Sequence, residues 1–312
     1  EWLLDGRDKF SDFLDSAWTN IGSNLSLYTL IAKACLGVAK IIGICGSEDN
    51  TQSRENLIKE GIKLIEGIGV TSLSQTIKSY RRIITARLAN GKQLTASHLL
   101  MAVGRKPALD RLQLAAARIR HDAKGIVTDR RLRTSNRHVY AIGDVAGRQQ
   151  FTHIAGYHAG IVIRNILFKI PAKLDDSAVP RVTYCDPELA HVGLGLDDAT
   201  KRFGSDQLIC LETPLSGNDR AIADRRSEGM VKVITHKNGR ILGASILAPA
   251  AGEMILAWSH AIATKAKIAS IASLIAPYPT YGGASKRAAG SFFTAKLFSP
   301  ATRRFVQFLL KF

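Results

Sequence analysis

The four cysteines, Cys35, Cys45, Cys185 and Cys210, include no pair at C-x-x-C spacing. That removes the common dithiol redox motif and the usual zinc-ligand pattern, so no metal site is expected. Free thiols fit a reducing, cytoplasmic compartment. No G-x-G-x-x-G occurs, so the glycine loop that cradles a dinucleotide pyrophosphate at a helix N-terminus is missing from these 312 residues. Internal repeats and low-complexity tracts are also missing, which excludes solenoids and disordered linkers. Lys and Arg number 43 against 26 Asp and Glu, a formal charge of +17, yet no run of five or more Lys/Arg appears. Aromatic residues are not interleaved with the basic ones either, so nucleic acid is not an expected partner. The excess charge is read instead as attraction for anions such as dinucleotides or membrane surfaces.

Long apolar runs are scarce too. The strongest membrane candidate, Leu25 to Cys45, contains Lys33 and Lys40, each costing roughly 2.5–3.5 kcal/mol at a bilayer centre. Ser26 and the two lysines share one helical face, while Leu27, Leu30, Ile31, Ala34, Val38, Ile41 and Ile42 share the other. An amphipathic helix packed on protein is therefore expected, with no membrane span. Phe10, Phe13, Leu14, Ala17 and Trp18 mark a helix before it. The acidic start, broken by Asp5 and Gly6, is unlike a secretory signal.

What is present supports a globular chain with ample core: 46% of residues are hydrophobic. Residues 1–50 read as a helical segment. From Ser53 the pattern changes to short strands: Ile62 to Glu66, a hairpin around Asn90-Gly91, and Leu99 to Val103 running into Gly104-Arg105-Lys106-Pro107. A helix spans about His153 to Lys169. Pro180 opens a second unit with a strand at Val182 to Tyr184 and helices at Leu196 to Arg202, Gly252 to Lys265 and Ala284 to Phe292. Met230 to Leu247 is a hairpin centred on Asn238-Gly239. Strands followed by segregated helices suggest an α+β layer.

The most informative stretch runs from Thr134 to Val145 and contains Val139-Tyr140-Ala141-Ile142-Gly143-Asp144. It reads as a turn, a short buried strand over Val139 to Ile142, and an acid just past the strand's end. Open α/β sheets bind ligands at that position. Gly143 lets the backbone approach a ligand closely, and Asp144 can accept two hydroxyl hydrogen bonds. The competing role is an Asp that caps the following helix.

This stretch resembles the second flavin-binding signature of the FAD-dependent pyridine nucleotide-disulfide oxidoreductases, class I, where the acid holds the ribityl chain of FAD. The resemblance extends over roughly residues 55–312. Leu100 to Pro107 is similar to the end of the family's NAD domain, and Gly125 to Asp129 to its central FAD-contacting segment. Pro180 to Glu188, Gly243 to Glu253, Tyr278-Pro279-Thr280 and Ser285 to Ala289 resemble the dimerisation domain. The tail from Phe292 to Val306 resembles the mercuric-reductase-like branch, alongside its dihydrolipoamide-dehydrogenase-like relatives.

The resemblance implies an α/β plus α+β architecture. A partial FAD/NAD(P)-binding, Rossmann-like region over 51–178 would precede an α+β dimerisation domain over 179–312, without the N-terminal FAD-binding half. It implies FAD and NAD(P)H as cofactors, a homodimer, and a small-molecule redox substrate. Gly143 and Asp144 would meet FAD. Gln150, Phe151, Thr152 and His153 would meet the flavin ring at the start of a helix, and Gly104 would face the nicotinamide nucleotide. His153 could equally be an ordinary helix-start residue, and Gly104 a strand-ending turn.

The chain departs from the family pattern in two further ways. The paired redox cysteines have no counterpart, and all four cysteines are expected to be buried small hydrophobes. The family's catalytic base, a His oriented by a Glu five residues on, is replaced by Tyr278 and Gly283. A phenol, with an ordinary pKa of about 10, is a poor neutral-pH base. Tyr278 therefore stands at the catalytic position either as a reacting group or as a packed interface tyrosine. The resulting alternatives are an NAD(P)H oxidoreductase and a truncated, non-catalytic homologue that retains mainly the dimerisation domain.

Overall fold

The computed structural model describes the strands Thr29–Lys33 and Ala39–Ile42 and residues 55–311, except 56, 60, 79, 103 and 104. The chain divides into compact units at Lys106/Pro107, inside the region 51–178 that the sequence suggests is one piece.

In the first unit, β1 (Thr29–Lys33), β2 (Ala39–Ile42), β3 (Lys63–Ile65) and the later β7 (His98–Ala102) form a sheet of order β3-β2-β1-β7. The β2–β3 pair is parallel, and the other two pairs are antiparallel. This corrects the helix expected over Leu25 to Cys45. Thr29–Lys33 pairs register by register with His98–Ala102, so its backbone bonds go to a distant strand and not to its own next turn. The stripe from Phe10 to Trp18 lies outside the described residues.

A second sheet joins β4 (Val70–Lys78), β5 (Arg81–Leu88) and β6 (Gln93–Ala96). On β5 the buried residues are Ile84, Ala86 and Leu88, two apart, as a half-buried strand requires. The Asn90-Gly91 turn closes β5 on β6, with Lys92 N–H donating to Asn90 Oδ1 at 3.1 Å. Leu88 is buried among Ile65, Ile68, Val70, Leu94, Leu99 and Met101.

The second unit begins with a small hairpin, β8 (His121–Asp122) and β9 (Gly125–Ile126), and the helix α1 (Thr152–Ile166). It continues into a five-stranded antiparallel sheet of order β10-β11-β14-β13-β12: Arg181–Thr183, Glu188–Gly193, Ile241–Ala248, Met230–His236 and Leu208–Pro214. Between these strands come α2 (Leu196–Phe203) and α3 (Asp219–Ala223). Every residue of β14, the central strand, is buried.

Helices α4 (Ala251–Ala263), α5 (Ile268–Ala272) and α6 (Gly282–Leu297) follow, and residues of all three join the core cluster built on the sheet. Glu188 on β11 accepts from Gly252 N–H at 2.9 Å, which places a carboxylate at the positive end of α4. Trp258 on α4 is fully buried and donates through Nε1 to Ser285 Oγ on α6 at 3.1 Å. Among the described residues no helix is long and apolar enough to cross a membrane. The burial expected of all four cysteines does not hold where it can be checked: Cys210 is exposed and Cys185 only half-buried. Cys35 and Cys45 lie outside the described residues.

Trp258→Ala should destabilise the second unit by about 3–5 kcal/mol, because it deletes the largest fully buried side chain. Ser285→Ala should cost about 1–3 kcal/mol by leaving the indole N–H without its acceptor. Urea unfolding of both variants, followed by tryptophan fluorescence or far-UV circular dichroism, measures these losses.

Candidate functional site

The Thr134–Ile142 stretch does not form the parallel strand expected over Val139 to Ile142. Thr134 N–H donates to Val139 O and Ala141 N–H to Leu132 O, so the segment folds back on its own preceding residues. A single antiparallel bridge joins Arg133 and Tyr140. The local turn chemistry explains the change. Thr134 Oγ1 donates to Asn136 O at 2.9 Å, and Asn136 Oδ1 accepts from His138 N–H at 3.2 Å. Asn136 also donates to Ala117 O at 3.1 Å, fixing the turn to the chain below it. These short polar side chains divert the backbone bonds that a sheet would use.

Immediately after, Gly143–Ala146 makes one turn of 3-10 helix that ends at Gly147. Three glycines make this turn possible. Gly143 has φ +68°, and a methyl group on it would lie 3.1 Å from Ala155 Cβ on α1. Gly125 and Gly147 pack backbone to backbone, since a Cβ on Gly125 would lie 2.5 Å from Gly147 N. The turn is therefore held between the β8–β9 hairpin and α1. Asp144, within it, is exposed.

One buried hydrogen bond links the turn to the helix. Gly143 N–H donates to His158 Nδ1 at 3.1 Å. His158 is fully buried, on the stripe Ile154, His158 and Ile161 that α1 presents to the interior. Because Nδ1 accepts, the ring proton sits on Nε2, which is buried without a hydrogen-bond partner. Burial holds the imidazole pKa below its ordinary value, and the Arg148 guanidinium lowers it further while Asp176 opposes. Arg148 and Asp176 are themselves paired at 3.0 Å.

Helix α1 begins at Thr152 with no side-chain cap on its first turn. The Phe151 and His153 rings stack, with centroids 5.1 Å apart and planes within 10°. His153 Nε2 lies 3.0 Å from Pro180 O, so it also ties α1 to the start of the five-stranded sheet. Gln150 is half-buried beside them, and Thr152 is exposed. The structure thus gathers Gly143, Asp144 and the Gln150–His153 segment around the start of one helix. The residue that joins them, His158, carries no motif of its own. Its signal was a polar residue between two isoleucines on an otherwise apolar helical stripe.

These features fit an extended polyol and a ring. An exposed carboxylate stands on a turn with no room for a side chain at its neck. It lies beside a helix start whose N-cap residue makes no side-chain cap bond. A concavity of about 440 Å³ elsewhere is lined by Asp129, Arg130, Arg131, Arg133 and Lys173. All five are charged, which does not suit an apolar ring system.

Of the other two candidates, Tyr278 falls within the described residues. Tyr278 is exposed, and its phenol is bonded to the Asp219 carboxylate, which raises its pKa above 10.0. It therefore stays protonated at neutral pH and serves as a donor, not a base. Its loop is anchored by Asn218 Nδ2, which donates to Thr280 O at 3.0 Å, and by Tyr281 Oη, which donates to Asp224 Oδ2 at 3.0 Å. At position 283, where the family's orienting carboxylate would lie, Gly283 N–H donates to Thr280 O at 3.2 Å. Gly104 lies outside the described residues.

The depressed His158 pKa has a consequence for stability. Below its ordinary pKa of 6.5 the unfolded chain binds a proton that the native chain refuses. The contribution of His158 is thus fully present above pH 6.5 and is lost as pH falls below it, through the lower folded value. Urea midpoints between about pH 7 and pH 5 should fall for the parent chain. They should fall less for His158→Asn, which can still accept from Gly143 N–H but does not titrate.

Residues 40–159 match the family model described as pyridine nucleotide-disulphide oxidoreductase, and residues 179–289 match the dimerisation domain of the same family. The mercuric reductase of Staphylococcus aureus is 33% identical over 242 residues, which cover 76% of this chain and 43% of that protein. Dihydrolipoyl dehydrogenase 3 of Haloarcula marismortui is 29% identical over 297 residues, covering 93% of this chain and 60% of that protein. Among solved structures, the HOCl-induced flavoprotein disulfide reductase RclA of Escherichia coli aligns with TM-score 0.71 at 26% identity, over 78% of this chain and 55% of that one. LpdA of Mycobacterium tuberculosis shares the fold with TM-score 0.72 at 24% identity, over 79% of this chain and 53% of that one. The chain spans about half the length of the relatives it matches. Two matches in family order, over a mixed helix and sheet fold of the same kind, lead to one conclusion: the chain belongs to the pyridine nucleotide-disulphide oxidoreductase family.

Proposed function

We propose that the chain is the working C-terminal part of an FAD-dependent oxidoreductase. In this reading hydride passes from NAD(P)H to FAD, and electrons pass on to a thiol, disulfide or metal acceptor. The observation that carries it is the Gly143–Asp144 turn, locked to the start of α1 by the Gly143 N–H···His158 bond. The names of the similar proteins, a mercuric reductase, a dihydrolipoyl dehydrogenase and a flavoprotein disulfide reductase, support the acceptor classes.

FAD, when bound, supplies the hydride and electron chemistry. The chain's own groups hold and polarise. The Asp144 carboxylate would accept from ribityl hydroxyls, and Gly143 would let the backbone come close. Gln150, Phe151, Thr152 and His153 would meet the flavin ring. The N-terminus of α1 would stabilise developing negative charge there by roughly 0.3–1 kcal/mol. Tyr278, whose phenol is kept protonated by its bond to Asp219, would stand at the family's catalytic-base position at the interface of a homodimer. Gly104 would face the nicotinamide nucleotide. In this assignment residues 51–178 face the nucleotides, residues 179–312 form the dimer, and the setting is cytoplasmic. The second reading, a dimer-forming homologue without turnover, draws on the lack of a G-x-G-x-x-G and of a paired redox dithiol in the sequence.

FAD titration followed by flavin fluorescence tests the site. The 312-residue chain should bind FAD weakly enough to lose it on gel filtration, because the pyrophosphate cradle is not in the sequence. Asp144→Ala should weaken the titrated affinity about tenfold or more, the worth of one charged hydrogen bond or two. Equal titrations of parent and variant would sink the assignment. Bleaching of the bound flavin by NADH or NADPH separates the enzyme from the homologue without turnover. Light scattering should give twice the 33.9 kDa of one chain, as expected of an isologous pair, and a monomer at micromolar concentration would count against the dimer.

A further inference from the structure

Helix α7 (Pro300–Leu309) closes the described chain and contains no buried residue. Its start is fixed. Ser299 Oγ accepts from Thr302 N–H at 3.2 Å, and Thr302 Oγ1 donates back to Lys296 O at the end of α6, at 2.7 Å. Beyond Thr302 every residue through Lys311 is exposed. At 100° per residue, Phe305, Val306, Phe308, Leu309 and Leu310 cover one side of the helix. Arg303, Arg304, Gln307 and Lys311 cover the other. Phe305 is 59% exposed and Leu310 80%, and Leu297 and Phe298 at the end of α6 are exposed too, at 59% and 63%. A contiguous apolar face of this size on a helix marks a binding surface.

Charge identifies the occupant. Glu253 is the last acidic residue of the sequence; the 59 residues after it hold eight Lys and Arg and no Asp or Glu. Of these, Arg303, Arg304 and Lys311 belong to α7 and the residues just after it, and a second copy of the helix would bring the same cations together with no acid of its own to pair them. An anionic lipid surface satisfies both sides of the helix at once. Its acyl boundary takes the aromatic and aliphatic side chains, and its headgroup phosphates take the guanidinium and ammonium groups. We propose that α7 lies flat on an anionic bilayer and attaches the protein to it peripherally, without a span. This attachment is independent of the flavin reading.

Vesicle flotation with the full chain tests it. The chain should float with vesicles of phosphatidylcholine containing about one third phosphatidylserine, should not float with phosphatidylcholine alone, and should be released as salt is raised to about 0.5 M. Replacing Phe305 and Leu309 together by Asp should cut partitioning at least tenfold. Arg303→Gln and Arg304→Gln should each cut it roughly fivefold. Because α7 buries none of its residues, these variants should keep the parent's circular dichroism and unfolding midpoint, which excludes misfolding as the cause. The proposal is overturned if anionic vesicles are not bound or if the Phe305/Leu309 variant floats as the parent does. It is also overturned if that variant halves the mass seen by light scattering, which would assign the face to a second copy of the chain.

Discussion

Gly125 and Gly147 meet backbone to backbone, and the geometry of the candidate site follows from that approach. Any side chain on Gly125 would strike Gly147 N and Val145 O. The β8–β9 hairpin therefore presses directly on the turn that carries Asp144. From the other side α1 presses on Gly143 through Ala155, and His158 takes its N–H. The turn is held from both sides by backbone and by one buried imidazole. A carboxylate on such a turn loses little freedom when it binds, which is how preorganisation favours affinity. The unpartnered Nε2–H of His158 is the local cost: a buried donor is left unsatisfied so that Nδ1 can fix Gly143.

Much of the second unit was legible in the sequence. Asn238-Gly239 set the β13–β14 hairpin, and the apolar periodicity over Gly252 to Lys265 gave α4 to within two residues at either end. Asn90-Gly91 did the same for β5 and β6. These are local signals, and turn chemistry reports them directly. Strands that depend on distant partners were harder to read. β12 (Leu208–Pro214) and β4 (Val70–Lys78) lack an unambiguous alternation, and both are recognisable only through the neighbours they pair with. In Leu25 to Cys45 the same apolar residues satisfy a helical period and a strand run, and short apolar runs cannot be separated by periodicity alone. Pairing with His98–Ala102 decides the outcome, and no local pattern announces it.

The candidate site divides along the same line. Gly143 and Asp144 were readable because glycine followed by an acid is a chemical statement in itself. The strand assigned before them was not correct, since Thr134 and Asn136 capture the backbone locally. His153 was readable as the start of a helix, but its bond to Pro180 O gives it a second, structural duty that spacing could not show. Tyr278 illustrates the limit of reading a position without its surroundings. The residue type left open whether the phenol gains or loses its proton readily. The Asp219 carboxylate settles the direction by stabilising the neutral form.

Charge ties the two ends of the second unit into one argument. A net +17 spread evenly would act only as a general attraction for anions. It is not spread evenly, because the acids stop at Glu253 and the cations continue through α7. Asp144 therefore sits in the part of the chain where both signs are mixed, and a single carboxylate there can be specific for hydroxyl groups. α7 and the two residues after it hold the cations Arg303, Arg304 and Lys311 and no acid, and the proposed occupant of its exposed apolar side is one that brings counter-charge over an apolar layer. A soluble polyanion would meet the cations and leave Phe305 and Leu310 in water. A neutral apolar surface would cover the aromatic and aliphatic groups and leave Arg303 and Arg304 unpaired. The proposed anionic bilayer, which stacks charge over hydrocarbon, satisfies both sides of the same ten-residue helix.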